Sequence, residues 1–394
     1  MMSRAESSRA LPTLLAVMFV NLIGFGIVVP LLPFYARSFH APAWEMAVIF
    51  SAYAMGAFFG EPFWGRMSDR VGRKPILVST ICGNCLCYLA LAFAPNIGIA
   101  FFVRLLGGLA SGNASVIQGY IADVTPMAER SGRMSYLSAA YNLGFIVGPA
   151  LGGLLADPAA GHDGFRKPLI VAAGLSALCA AGIIVFVRES RFHPHHEFDD
   201  GPARWAVAGR ALSHPVVSRL MLVTLLAGSA FMGIEFVFGL WANARFRWGP
   251  REVGMAFAAV GLVAAFSQIA LTGWLSRRFG EARVLAAGMA LTAVATLLMP
   301  HSRDWMIVLL LALSALGQSV AWPNVSALIS RHAEVNHQGQ YQGLNNATGA
   351  LARLAGPLAA GTAFATFGVD TPFYISGLMV VPAVALALRT RRLQ

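Results

Sequence analysis

Long apolar runs alternate with short charged breaks along the whole chain. A helix needs about 20 residues to cross about 30 Å of hydrocarbon at 1.5 Å per residue, and on that measure the runs predict twelve membrane spans. The first six cover 11–36, 44–64, 75–94, 97–120, 130–156 and 167–187. A polar stretch from Arg188 to Ser213 follows, and six more spans lie at 216–243, 252–273, 282–300, 304–328, 338–366 and 372–388. Each run is far longer than a barrel strand and lacks period-two alternation, so helices are expected. The first run, Leu11 to Tyr35, follows Arg4 and Arg9 and has no small-residue cleavage site after it; it is too long for a secretory leader and is expected to remain as a helix. The architecture expected is an all-α polytopic membrane protein with an N-terminal bundle at 1–187, a linker at 188–215 and a C-terminal bundle at 216–394.

Composition agrees with this pattern. Of 394 residues, 57% are hydrophobic and 12% charged, too apolar for a soluble protein of this length. The net charge of +11 raises the question of nucleic acid, but Lys and Arg lie in the breaks rather than along one helical face, and no nucleic-acid partner is expected. With the N-terminus placed inside, 20 of the 29 Lys and Arg residues fall on the cytoplasmic side. This asymmetry puts both termini and the linker in the cytoplasm of a cell (inner) membrane protein. Cys82, Cys85, Cys87 and Cys179 sit inside apolar runs without His partners and read as small hydrophobes. His193 to Phe198, "HPHHEF", reads as solvated linker rather than metal site. No phosphate-binding glycine loop and no segment long enough for a catalytic domain is visible, so neither a cofactor, a metal nor an enzyme activity is expected. A monomer in the lipid bilayer is expected.

The break "GRMSDRVGRKP", Gly65 to Pro75, concentrates charge between two apolar runs. Gly65 and Gly72 suit a tight turn. Asp69 among Arg66, Arg70, Arg73 and Lys74 suits a carboxylate that pairs with cations or helix N-termini in one conformation and releases them in another. The stretch recurs: "GRMSDRVGRKPIL" at Gly65 returns as "GWLSRRFGEARVL" at Gly273, 208 residues on, and Gly148-Pro149 returns as Gly356-Pro357 at the same offset. Two unrelated motifs with one offset indicate a duplicated six-helix unit, the plan of secondary transporters that bind cargo near the midplane.

Several stretches carry a resemblance. Gly65, Asp69, Arg70, Gly72, Arg73 and Lys74 resemble the signature between helices 2 and 3 of the major facilitator superfamily. "RLLGGLASG" from Arg104 is similar to its helix 4 motif, and "GFIVGPALGG" from Gly144 to the helix 5 motif of the drug/proton antiporter branch, here Gly144, Gly148, Pro149, Gly152 and Gly153. "GIVVPLLP" at Gly26, "RFRWGPREVG" at Arg245 and "HQGQYQGLNNATG" at His337 resemble tetracycline exporters and their multidrug relatives. The resemblance covers essentially the whole chain and implies two pseudo-symmetric six-helix bundles, with proton-coupled export of an amphiphilic drug-like or metabolite substrate by alternating access. The alternative is a facilitator or a proton-coupled importer of a small organic metabolite or sugar. Tetracycline exporters carry acidic residues in helices 1, 3 and 9 where this chain has Asn21, Cys87 and Thr292, which points to a different substrate.

Charges inside spans are costly and mark function. Arg104, Glu235 and Arg353 are such charges, and with Asp69 they are the candidates for proton coupling. Glu235 lies about 28 Å along its helix from Val216, in the outer part of the membrane. It reads as a proton carrier, a site for a cationic substrate or one half of an ion pair with Arg353. Arg104 matches the family position linked to proton coupling, or it braces helices through backbone carbonyls. Glu61 and Asp123 lie near helix ends, where they read as structural, with Glu61 a possible neighbour of Asp69. The helix 5 glycines form one small face, expected to pack against a helix of the other half. The resemblance lines a substrate cavity with Asn21, Tyr53, Asn113, Gln118, Tyr141 and Asn142 from the first half. The second half contributes Phe236, Gln268, Gln318, Trp322, Asn324 and Asn345. Amides with aromatic rings suit an amphiphilic molecule, although any one of them can equally be a packing contact.

Overall fold

The computed structural model describes residues 4–125, 130–190, 209, 213–332 and 338–390. Among them the chain is helical, without strands, and each expected span has a helical counterpart. The first half holds α1 (Arg4–Arg37), α2 (Ala43–Val71), α3 (Arg73–Ala92), α4 (Ile97–Leu109), α5 (Asn113–Val124), α6 (Arg130–Leu155) and α7 (Arg166–Phe186). The second holds α8 (Pro215–Phe246), α9 (Pro250–Phe266), α10 (Gly273–Phe279), α11 (Glu281–Leu298), α12 (Asp304–His332), α13 (Gln338–Phe367) and α14 (Thr371–Thr390). Most of the linker, with His193 to Phe198, lies outside the described residues.

Two spans are not the simple rods that the hydropathy predicts. Span 4 divides into α4 and α5 at Ala110–Gly112, where Ser, Gly and Asn follow one another and compete with the helix by local hydrogen bonding. Gly112 is required there, since a Cβ would press on the Trp64 side chain. Span 8 runs from α9 into α10 through a π-helical stretch, Ser267–Thr272. The Thr272 hydroxyl donates to the Ser267 carbonyl, and the Ser267 and Ser319 hydroxyls bond each other.

The chain divides into two compact units, residues 1–198 with 248–258 and residues 199–247 with 259–394. In the first, α1 packs on α6 and α7, α2 on α4, and α3 on α7, around a core that includes Leu14, Leu77, Ile81, Ile117 and Tyr120. In the second, α8 packs on α13 and α14, and α11 on α12 and α14, around Val217, Leu220, Met289, Val325 and Leu328.

The repeat is visible in these packings. A Cβ at Gly148 on α6 would lie 2.7 Å from the Gly26 Cα and 2.8 Å from the Ile23 carbonyl oxygen of α1. A Cβ at Gly356 on α13, 208 residues later, would meet the Ser229 carbonyl and lie 3.0 Å from the Gly233 nitrogen of α8. Small residues let these backbones touch, which is how helices associate where lipid offers no hydrophobic drive. The turn before α3 is Gly72 at φ 111° and the turn before α11 is Gly280 at φ 84°, again 208 residues apart. Both angles are strained for any residue with a Cβ.

Two expectations are corrected here. Gly65 is not in a turn: α2 continues to Val71, and the charged stretch is helical up to Gly72. Gly144, Gly148 and Gly152 do not face the other half but pack on Phe19, Ile23, Gly26 and Ile27 of α1 in their own bundle. Gly153, which faces the backbone of Pro250 and Arg251, is the member of the motif turned elsewhere, and those residues group with the first unit. Pro149 sits inside α6, with its carbonyl against Gly254.

Candidate functional site

The charged turn is built around Arg73. Its side chain is 8% exposed and bridges Asp69 on α2 at 2.9 Å and Asp123 on α5 at 2.9 Å. It also donates to the Ser68 hydroxyl at 2.6 Å. Gly119 leaves room for the guanidinium, because a Cβ there would lie 2.6 Å from its central carbon. The first turn of α3 is capped from far along the chain: Glu189 accepts from the Arg73 backbone N–H at 2.8 Å and from that of Lys74 at 3.0 Å. Gly72 admits this carboxylate, which would lie 2.5 Å from a Cβ. The Lys74 ammonium donates to the Ile184 carbonyl. The signature thus ties α2, α3, α5 and the end of α7 together by charge-assisted bonds. Glu189→Ala removes a cap and an anion at a helix N-terminus, and is expected to lower stability by about 1–2 kcal/mol, read as a fall in melting temperature of the purified protein in detergent.

A second cluster lies within the membrane part of the first unit. The Arg104 guanidinium is buried and lies 4.8 Å from the centre of the Tyr53 ring. Tyr53 in turn stacks obliquely on Phe25, with ring centres 5.4 Å apart. A Cβ at Gly107 would touch Cys87 and Tyr53, so α2, α3 and α4 meet here. Arg104 Nε has no hydrogen-bond partner among the described residues. Ser111 and Asn113 at the span 4 break are also buried, and the Asn113 Nδ2 is likewise without a partner.

In the second unit Glu235 is buried among Ile234, Phe236, Val237 and Phe238 of α8. No ion pair or hydrogen bond to it occurs among the described residues. Arg353 is exposed on α13, and the expected pairing with Glu235 is not formed. Beside these, the Thr224 hydroxyl donates to Asn345 Oδ1 at 2.7 Å, and Trp322 Nε1 donates to Gln318 Oε1 at 3.0 Å.

The other predicted cavity residues differ in exposure and bonding. Tyr141, Gln118 and Gln268 are exposed, Tyr53, Asn142 and Trp322 half-buried, and Asn21 buried. Tyr141 stacks on Phe145 with nearly parallel rings. Phe236 is fully buried in the helix core and is not available to a ligand. Asn324 ties α12 to α10, accepting from the Ser276 hydroxyl and donating to the Val320 carbonyl, and Asn345 ties α13 to α8. These bonds give both amides a packing role between helices. Glu61 is exposed and lies within electrostatic range of Tyr53, and the ion-pair partners of Arg73 are Asp69 and Asp123. Glu189 and Ser111 escaped the sequence reading. The signal for Glu189 is an acid just past the apolar end of span 6, between Arg188 and Arg191.

Comparisons with known proteins agree with this picture. The model of the Major Facilitator Superfamily matches residues 14–249 and again 221–393. The chain is 31% identical over 371 residues to the class C tetracycline resistance protein of Escherichia coli, covering 90% of this chain and 89% of that one. It is 26% identical to multidrug resistance protein 2 of Bacillus subtilis, covering 95% and 93%. Among solved structures, a bacterial homologue of the human lysosomal transporter Spinster, in an inward-facing conformation, superposes with a TM-score of 0.83 at 14% identity over 99% of this chain and 98% of that one. The human organic anion transporter MFSD10 does so at 0.71 and 23% identity over 97% and 99%.

Proposed function

Since the chain belongs to the Major Facilitator Superfamily, whose members move small molecules across membranes, we propose that it is a secondary active exporter of an amphiphilic organic compound, driven by inward proton flow. The observation that carries the reading is Glu235, a buried carboxyl group with no counter-ion in an apolar helix. An ionised carboxylate in that setting is costly, and binding a proton removes the cost. The group therefore binds a proton where the surroundings are dry and yields it where water enters, which is what coupling to alternating access requires. The tetracycline and multidrug resistance proteins among its relatives support export of an organic compound. Asn21, Cys87 and Thr292 stand where tetracycline exporters carry acids, and Thr292 is committed to the Gly288 and Ser314 carbonyls. A substrate other than a tetracycline–metal complex follows. The excess of Lys and Arg in alternate breaks supports a cytoplasmic position for both termini and the Arg73 network.

The test is transport in proteoliposomes under an imposed pH gradient. Three pyrene probes share one apolar body and differ in the head: pyrenebutyrate, pyrenebutanol and pyrenebutyltrimethylammonium. Wild-type protein is expected to accumulate at least one of them against its gradient. Glu235→Gln is expected to lower pH-driven accumulation at least tenfold while exchange of probe across the membrane continues. Undiminished accumulation by that variant removes Glu235 from the coupling, and movement of probe indifferent to pH makes the protein a facilitator.

A further inference from the structure

Resting on that reading, we infer that the exported compound is an organic anion, held by its carboxylate, sulfonate or phosphonate head at the break in span 4, between Arg104 and the start of α5. The break falls at the middle of the 28-residue stretch Ile97–Val124, at the depth where broken helices of transporters bind cargo. α5 is 12 residues long and begins after Gly112, which has no side chain with which to cap it. The positive end of its backbone dipole faces the break, and of its first N–H groups the one at Ala114 is taken by Asn113 Oδ1.

The side chains around the break are donors left without acceptors. Arg104 Nε and Asn113 Nδ2 are buried and unbonded, and both residues are more than nine-tenths buried. Asn113 has already spent its acceptor oxygen on the Ala114 N–H, leaving its amide hydrogens for something else. Ser111, 4% exposed, is buried beside them with its side chain turned to Tyr53. Tyr53 joins the groups into one site, its ring under Arg104 and its side chain close to Ser111. On the opposite end of the break the acceptors are occupied: the Leu109 carbonyl takes the Trp64 indole N–H, and the Leu106 and Gly108 carbonyls take the Ala110 and Ser111 N–H groups.

Among the described residues no carboxylate balances Arg104. The ionisable groups acting on it are Tyr88, Tyr53 and Cys87. Glu61, the acid nearest Tyr53, is exposed. Nor does the fold demand this break, because α12 passes unbroken through residues 318–320, the equivalents of 110–112 at the offset of 208. A buried cation, an unpaired amide donor and the positive end of a helix dipole are complementary to an anionic head.

Binding of the three pyrene probes to purified protein at pH 7.5, followed by fluorescence anisotropy, tests the inference apart from transport. Wild type is expected to hold pyrenebutyrate at least tenfold more tightly than pyrenebutanol, and the trimethylammonium probe most weakly. Arg104→Gln is expected to bring pyrenebutyrate to the level of the alcohol, while Arg104→Lys keeps part of the preference. Asn113→Asp, which adds a carboxylate at the start of α5, should weaken pyrenebutyrate tenfold and strengthen the cation, so the result does not depend on the folding of one variant. No preference for pyrenebutyrate in the wild type, or a preference that survives both Arg104→Gln and Asn113→Asp, overturns the inference. If the cation or the alcohol is exported under a pH gradient while pyrenebutyrate is neither bound nor moved, the anion site fails and the exporter stands. If pyrenebutyrate binds with the expected preference and no probe moves under any gradient, the exporter fails and the anion site stands.

Discussion

Arg73→Ala is expected to destabilise the protein by about 3–5 kcal/mol. The loss is large because of what stays behind. Asp69 and Asp123 lie at 2.9 Å from the same guanidinium, and removing it leaves two carboxylates facing one another across a space that Gly119 keeps open for a larger side chain. Asp123 is only 21% exposed, so water screens it poorly. Repulsion between the two acids then adds to the loss of the bonds themselves. Arg73→Lys keeps the charge but cannot serve Asp69, Asp123 and Ser68 together, and should fall between wild type and alanine. Adding Asp69→Asn and Asp123→Asn to Arg73→Ala should recover much of the deficit, since two neutral amides need no cation. Melting temperature in detergent reads all of these. A triple variant no more stable than Arg73→Ala would show that the network does not hold the bundle together.

Gly148→Leu is expected to cost more than about 3 kcal/mol and to abolish recovery of monodisperse protein. The atoms a side chain would meet belong to the backbone of α1, with the Gly26 Cα 2.7 Å from the position of a Cβ. Backbone cannot turn aside as a flexible side chain can, so α1 and α6 must part along their length. Gly148→Ala, with one methyl group, should cost about 1–3 kcal/mol. The equivalent changes at Gly356, against Ser229 and Gly233 of α8, should have effects of the same order. Yield and elution profile after solubilisation measure this, and a Gly148→Leu protein that elutes and melts as wild type does would refute the close approach of the two helices.

The same glycines show why much of the fold could be read before any coordinates. Each span is long, apolar and bounded by charge, and the offset of 208 that links Gly65 to Gly273 also links the turns at Gly72 and Gly280 and the contact faces at Gly148 and Gly356. Charges in apolar runs announce themselves, which is how Arg104 and Glu235 were found. Other features leave no such trace. The break after Leu109 is silent in hydropathy because glycine and alanine continue the apolar average across it. Glu189 acts on a helix 116 residues away, and no local pattern records so distant a partner. Asn324 and Asn345 look in sequence like any amide available to cargo; only the positions of Ser276 and Thr224 reveal that each is engaged with a neighbouring helix. Of the four glycines read as one packing face, Gly144, Gly148 and Gly152 share it and Gly153 does not, and a small face does not say which helix it meets.

The pairing of α6 with α1 and of α13 with α8 has a consequence for how the chain is made. Ten helical stretches of the described residues are long and apolar enough to cross a bilayer unaided; α6 offers only the shorter Ala139–Leu155, and α13 is not among the ten. α1 and α8, by contrast, supply two of the stretches most deeply covered by protein. Whatever machinery threads the nascent chain can release α1 and α8 into lipid on their own merits, but the glycine-rich helices gain their hold only after these partners have arrived. Synthesis therefore has a built-in order in each half, early anchor before late recruit, and a ribosome that stalled between them would leave an anchor with an unfilled groove for the quality-control proteases of the membrane to recognise.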